Sequence, residues 1–336
     1  MLNQETVFHS RYLSPELLTE VLQKYAALEI IGKSVNNRPI YAVRVGSGEK
    51  KILAWSQMHG NESTTTRGLF DFFMHISEDS SSLHLFSFLL VFQLNPDGAH
   101  GYIRQNANGI DLNRDAVEQT QPETKAFMKV LGDFSPDLCL NLHDQRTRFT
   151  VGRTQREAAI SFLAPAADKY RKLTDSRLNS MALIALIFER FPKAVRQRVG
   201  RFDDSFNRHC FGDFLAQKGI PTILIEAGQW GTDYDRVITR RLVYESLLGI
   251  TQCYFDLDNQ SKQNLVSSYN SIPKNMEFGF DEGYINTAES TLTGIRYKEH
   301  LENGSVHYIP DEYQLITEED KKWVYFRYPV SASSST

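Results

Sequence analysis

Apolar positions along the 336-residue chain fall into two periods, one helical and one extended. Leu17, Leu18, Val21, Leu22 and Tyr25 recur at helical spacing behind Ser14-Pro15-Glu16. Serine caps such a helix, and proline suits its first position because the missing N–H has no partner there anyway. Arg38 to Val45 reads as a strand ended by the Gly46-Ser47-Gly48 turn, and Lys51 to Ser56 as a strand buried on both faces. Asn61 to Ile76 reads as a helix, with Leu69, Phe70, Phe73 and Ile76 on one side. Leu85 to Leu94 is an apolar strand broken by Asn95-Pro96-Asp97-Gly98, and Pro136–Leu142 and Pro221–Ile225 are shorter ones. Glu123–Leu131 and Arg177–Phe191 are helical stretches between them. Strands alternating with helices predict an α/β layer fold around a mostly parallel or mixed sheet. Ligands in such folds gather beyond the carboxyl ends of strands, where His59, His143 and Glu226 stand.

The pattern changes near residue 258. Asp258 to Asn264 is polar and reads as a linker, dividing the chain into 1–258 and 259–336. Residues 270–329 alternate aromatic and β-branched positions with turn residues, which predicts a small β-rich appendage. Glu302-Asn303-Gly304-Ser305 marks a hairpin inside it, and Ser331 to Thr336 reads as a frayed tail. No internal repeat is visible. A formal net charge of -4 gives no reason to expect nucleic acid as a partner. Cys139, Cys210 and Cys253 are odd in number and widely spaced, so they suggest buried small hydrophobes rather than disulfides or a cysteine metal site. Met1-Leu2-Asn3-Gln4-Glu5 lacks a basic start and an apolar stretch, and no apolar run reaches about 18 residues. The expectation is a cytoplasmic protein with no membrane partner.

Candidate chemistry begins at His59 and Glu62, three residues apart behind the apolar run Ile52–Trp55. His143 ends a second apolar run. Two imidazoles and a carboxylate are the three-ligand set of a catalytic zinc site, with a fourth position left for water. A His-x-x-Glu pair alone is also what a helix start with a surface glutamate looks like. Asp144, next to His143, points the opposite way on an extended chain and reads as a supporting group. Arg104 to Asp115 is dense in polar side chains. Arg104 offers a planar fork for an oxyanion, and Asn113 with Arg114 can hold a carboxylate; surface ion pairs are the other reading of these arginines. Glu226 ends the run Thr222–Ile225, where burial raises a carboxyl pKa and a nearby cation lowers it. Such a group is either a general base or a buried structural carboxylate.

Together, His59-Gly60-Asn61-Glu62, Asn95-Pro96-Asp97-Gly98, Arg104, Gly109 to Arg114, Leu142-His143 and Ile225-Glu226 resemble the M14 family of zinc carboxypeptidases, in that family's order. The resemblance covers about residues 50–230. It implies an α/β/α sandwich around a mixed eight-stranded sheet. It implies one Zn2+ held by His59, Glu62 and His143, with Glu226 as general acid/base. Arg104 would polarise the scissile carbonyl, and Asn113 and Arg114 would grip the terminal carboxylate of a peptide.

The chain departs from the family where a tyrosine commonly covers the substrate. Phe202 to His209 holds no tyrosine, and Phe206 offers the ring without the hydroxyl. His209 is left without a role, since three ligands are already assigned. Arg146, Arg148, Arg153 and Arg156 follow His143 and predict either a basic rim favouring an acidic substrate or a solvated loop. Two other functions compete with the peptidase. One is an N-acyl amino acid deacylase of the aspartoacylase and succinylglutamate desuccinylase type, against which Asn95-Pro96-Asp97-Gly98 argues. The other is a non-catalytic binding module, against which the joint retention of the ligands and Glu226 argues.

Overall fold

Ser14 caps the first helix as its sequence predicts, its hydroxyl accepting from the Leu17 N–H at 3.2 Å. The computed structural model describes residues 8–257 and 259–332. Met1–Glu5, Asp258 and the last four residues therefore lie outside the described residues. In chain order, α1 (Pro15–Gln23), β1 (Glu29–Lys33), β2 (Pro39–Val45) and β3 (Lys50–Trp55) lead to α2 (Ser63–Glu78), α3 (Ser80–Leu85), β4 (Phe86–Val91) and α4 (Pro96–Gly101). There follow α5 (Pro122–Phe134), β5 (Leu138–Asp144), β6 (Thr150–Val151), β7 (Ile160–Leu163), α6 (Asp175–Arg190), α7 (Lys193–Arg196), β8 (Val199–Arg201), α8 (Phe211–Gln217), β9 (Thr222–Ala227) and α9 (Val237–Cys253). The last part holds α10 (Asn259–Ser271), β10 (Asn275–Met276), β11 (Gly279–Phe280), β12 (Glu282–Asn286), β13 (Thr291–Glu302), β14 (Ser305–Ile316), β15 (Tyr325–Phe326) and β16 (Ser331–Ala332).

The central sheet has eight strands in the order β1-β2-β4-β3-β5-β9-β7-β8. It is mixed: β3 runs parallel to β4 and β5, and β5 to β9, whereas β7 is antiparallel to β9. Alternation along each strand divides the core between its two faces. Ile52, Ala54, Leu138, Leu140, Ile223 and Ile225 pack into the cluster under α2, α6 and α9. Leu53, Trp55 and Cys139 pack into the other, with Phe127 of α5 and Phe211 of α8. Each such large side chain, fully buried, contributes about 1.5–3 kcal/mol. This is the α/β/α arrangement that the resemblance implies.

On that second face β5 continues past Cys139 to Asn141 and His143, and β9 through Leu224 to Glu226. The register sets His143 opposite Glu226 and Asn141 opposite Leu224. Here α5 and α8 no longer cover the sheet, and a cavity opens over the strand ends.

Two expectations are corrected. Asn259 to Asn264, in the polar stretch read as a linker, form the start of α10, which packs on α6 through an apolar stripe of Leu265, Val266 and the buried Tyr269. The tail begins one pairing later than read, because Ser331 and Ala332 lie parallel to β12. The appendage is β-rich as read, with a four-stranded sheet in the order β14-β13-β12-β16. Its hairpin turns at Asn303 and Gly304, both at positive φ (49° and 75°) as a two-residue hairpin needs. Among the described residues no helix is long and apolar enough to cross a membrane.

Candidate active site

β3 ends at Trp55, and the chain then turns back over the strand ends to start α2. Gly60 lets it do so: a side chain there would meet the backbone carbon of Gly98 at 1.8 Å. This close approach brings the His59 loop against the first turn of α4, which Asn95 caps by accepting the Gly98 N–H at 2.8 Å. Glu62 stands just before α2 and accepts the Asp144 N–H at 3.1 Å. Asp144 lies on the far side of β5 from His143 and receives the Thr64 and Thr65 N–H groups at 2.9 and 3.0 Å. Those first-turn donors have no partner within the helix, so the carboxylate fixes the end of α2 to β5.

His59, Glu62 and His143 are buried and converge. Nδ1 of His59 lies 2.9 Å from one Glu62 oxygen, and Nδ1 of His143 lies 2.9 Å from the other. The two Nδ1 atoms are 3.2 Å apart. Nitrogens bound at about 2.0–2.1 Å to one tetrahedral ion stand about 3.3 Å from each other. Nε2 of His59 lies 2.9 Å from the carboxylate of Asp111. That contact keeps the proton on Nε2 and leaves a lone pair on Nδ1. Lone pairs of two imidazoles and a carboxylate then face one point, which a cation satisfies. Among the described residues this is the one group of three such side chains able to share an ion.

Charges respond to this crowding. Burial lowers His59, but Glu62 and Asp111 outweigh it and hold the imidazole above its ordinary range. Burial, with His59 and Arg104 adding to it, lowers His143 against the pull of Glu62. Glu62 is held well below the ordinary range by the two histidines, despite burial. Glu226 goes the other way: burial raises it, and Glu62 and Asp144 add to that against Arg104 and Arg236.

One cavity of about 530 Å³ is lined by all seven residues singled out in the sequence: His59, Glu62, Arg104, Asn113, Arg114, His143 and Glu226. Arg104 donates to Asp111 at 2.9 Å and reaches within 3.5 Å of Glu62. The Asn113 side-chain oxygen accepts the Phe211 N–H at 2.9 Å, which ties it to the start of α8. Arg114 is exposed and donates to Sγ of Cys210 at 3.1 Å. Cys210 is thus half-buried beside the cavity rather than in the core, whereas Cys139 and Cys253 are buried. Phe206 is on the wall. His209 is not, and pairs with Glu118 at 3.0 Å.

The basic rim is corrected. Arg148 is internal, between Glu157 and Asp281. Arg153 and Arg156 are exposed and do not line the cavity. Arg146 does line it, but it donates to the Asn61 carbonyl at 2.6 Å and to Glu299 at 2.9 Å. The sequence reading also passed over Arg11, Arg236 and Glu299, which support the site from outside. Arg11 and Glu299 are 288 positions apart, and no local pattern marks either.

The sequence model of the family described as zinc carboxypeptidase matches residues 16–152. This span includes His59, Glu62 and His143. Carboxypeptidase SOL1 of Arabidopsis thaliana is 30% identical over 148 residues, which is 37% of this chain and 30% of that protein. Over these residues the chain is similar to the M14 zinc carboxypeptidase family. A probable carboxypeptidase 2 of Trichophyton verrucosum is 26% identical over 111 residues, 31% of this chain and 21% of that protein. The matches therefore span less than a third of the length of these curated relatives. Solved structures extend the likeness in fold beyond residue 152. A metallo-carboxypeptidase from Burkholderia cenocepacia superposes with a TM-score of 0.59 at 17% identity, covering 74% of this chain and 71% of that one. The carboxypeptidase A of Helicoverpa armigera gives 0.55 at 15% identity, covering 80% and 76%. The likeness in fold thus takes in more of the chain than the sequence match does.

Proposed function

We propose that this protein is a zinc-dependent carboxypeptidase that releases the C-terminal residue of a peptide. The observation that carries the reading is the single cavity in which the ligand triad, Glu226, Arg104, Asn113 and Arg114 meet. Zinc held by His59, Glu62 and His143 supplies Lewis acidity, polarising a carbonyl and letting water ionise near neutral pH. Glu226 faces His143 across the β5–β9 ladder and takes the proton of the attacking water. Its raised affinity for protons suits the next step, in which it returns that proton to the departing nitrogen. Arg104, pointed by Asp111, holds the carbonyl oxygen as negative charge builds on it. Asn113 and Arg114 grip the terminal carboxylate, and a charge-assisted fork in the same cavity as Glu226 fixes which amide bond reaches the base. An acidic leaving residue belongs to the same reading and now rests on Arg146 alone among the four loop arginines.

The test is amino acid release from matched peptides with a free C-terminus, their C-terminal amides, and N-acyl amino acids. Release from the free peptides only, abolished by a chelator and restored by zinc, is the expected result. Turnover confined to the acyl amino acids would move the protein to the deacylases, and no turnover of any substrate by the zinc-loaded protein would sink the enzymatic reading. Within the panel, C-terminal Glu against Gln tests the acidic preference.

A further inference from the structure

The C-terminal sheet sends one carboxylate into the catalytic layer. Glu299, on β13, is 5% exposed at its side chain. It receives Arg11 at 3.0 Å, Arg146 at 2.9 Å and the Tyr102 hydroxyl, and Arg236 stands 3.6 Å away. Each of these arginines also holds a segment carrying one of the chemical groups. Arg146 donates to the carbonyl of Asn61, between His59 and Glu62. Arg11 binds Asp144, next to His143, at 3.0 Å, and the hydroxyl of Thr64. Arg236 donates to the carbonyl of Ala227, next to Glu226, at 3.0 Å and to that of Gln145 at 2.7 Å.

The buried guanidinium groups of Arg11 and Arg236 and the partly exposed one of Arg146 repel one another and lose hydration, so they stay together only around an anion. The surroundings are already crowded with cations: burial, with Arg11 and Arg240, pushes nearby Arg67 down to about 10. Asp144 serves two of the three arginines from one side. Among the carboxylates of the described residues, Glu299 alone lies within 4 Å of all three.

We propose that Glu299 is a positioning residue: the C-terminal sheet uses it to hold Arg11, Arg146 and Arg236 against the loops that carry His59, Glu62, His143 and Glu226. The sheet is then part of the active centre's support and not a separate module. This inference rests on the carboxypeptidase reading for its kinetic part only. Loss of an outer partner that orients metal ligands costs about 10–100-fold in metal affinity or activity. A neutral glutamine keeps the shape but leaves three arginines without their shared charge.

The experiment compares the full-length protein with Glu299→Gln and Glu299→Asp. Zinc affinity is measured by competition with a chromophoric chelator, and amide exchange of residues 57–66 is measured in metal-free protein. Kinetics are measured at saturating zinc. For Glu299→Gln, zinc affinity at least tenfold weaker and faster exchange over 57–66 are expected, with kcat reduced more than KM is raised. Glu299→Asp keeps the charge with a shorter reach and should fall between, recovering part of the lost affinity; it also serves if the glutamine variant does not fold. A folded Glu299→Gln with zinc affinity, exchange and kcat within twofold of the parent and only a lower Tm would overturn the proposal, as would an aspartate variant indistinguishable from the parent in affinity. If the parent itself bound no zinc, the carboxypeptidase reading would fail, and unchanged exchange over 57–66 would still separately overturn the positioning role.

Discussion

Asp111 lies 2.9 Å from Nε2 of His59, so one carboxylate sets the proton of a ligand imidazole and, through its other oxygen, holds Arg104 at 2.9 Å. Burial would raise the Asp111 carboxyl, but His59 and Arg104 hold it below the ordinary range. Asp111→Asn keeps the shape and removes the charge. Zinc affinity should fall about 10–100-fold, and kcat should fall further than affinity explains, because Arg104 loses its anchor. Chelator competition together with kcat at saturating zinc separates the two effects.

Metal removal should also be visible in stability. An ion that binds the folded chain at 100 times its dissociation constant adds about 2.7 kcal/mol. Tm should therefore rise with added zinc in the parent protein. It should not respond in His143→Ala or Glu62→Gln, whose side chains contribute to the only triad of ligand atoms found among the described residues. A zinc-dependent Tm in His143→Ala would show that the ion sits elsewhere.

Glu226→Gln should retain zinc, since Glu226 is not one of the converging ligands. Loss of a general acid–base group costs about 10²–10⁴ in rate, and the loss should appear in kcat. Elemental analysis beside steady-state kinetics checks both halves. A variant with loaded zinc and nearly full turnover would remove Glu226 from the mechanism.

Arg114 is exposed at the cavity and, among the described residues, donates to the Asn113 carbonyl and to Cys210. Arg114→Met should raise KM for peptides with a free C-terminus while leaving the metal in place. A charged hydrogen bond of this kind contributes about 1.5–3 kcal/mol, so kcat/KM should drop by about one to two orders of magnitude. Equal loss on peptides lacking the terminal carboxylate would contradict the assignment.

Acid should loosen the C-terminal sheet. Burial would raise Glu299, but Arg11, Arg146 and Arg236 hold it well below the ordinary carboxylate range. A depressed folded pKa means that its stabilisation is complete above about pH 4.5, the unfolded value, and is lost as pH falls toward the folded one. Glu299→Gln should lower stability near neutral pH and flatten its fall in acid. Chemical denaturation at pH 7 and at several values below 4 measures this, and parallel curves for parent and variant would contradict it.

Much of this was legible along the chain. The strands over 39–45, 50–55, 138–144 and 222–227 follow from runs of apolar residues, and the 302–305 turn follows from Asn-Gly chemistry. All seven candidates that line the cavity were readable because each stands at a strand end or in a local motif, where position along the backbone already fixes direction. The strands β1, β7 and β8 went unread because they are three to five residues long, too short for a period to show. The stretch after Asp258 misled because polar residues on the outside of α10 outnumber the few, Leu265, Val266 and Tyr269, that face α6.

The sequence by itself determined the alternation of strands and helices and singled out His59, Glu62, His143 and Glu226 as candidates, since these depend on residue type at local spacing. Only the tertiary structure decided which charges meet. It buried Arg148 between Glu157 and Asp281, turned Arg146 toward Asn61 and Glu299, and joined Arg11 to a carboxylate 288 positions away. The physical reason is that an arginine's role depends on the anion it reaches through space, and that partner is chosen by the packing of whole sheets rather than by neighbours in the chain.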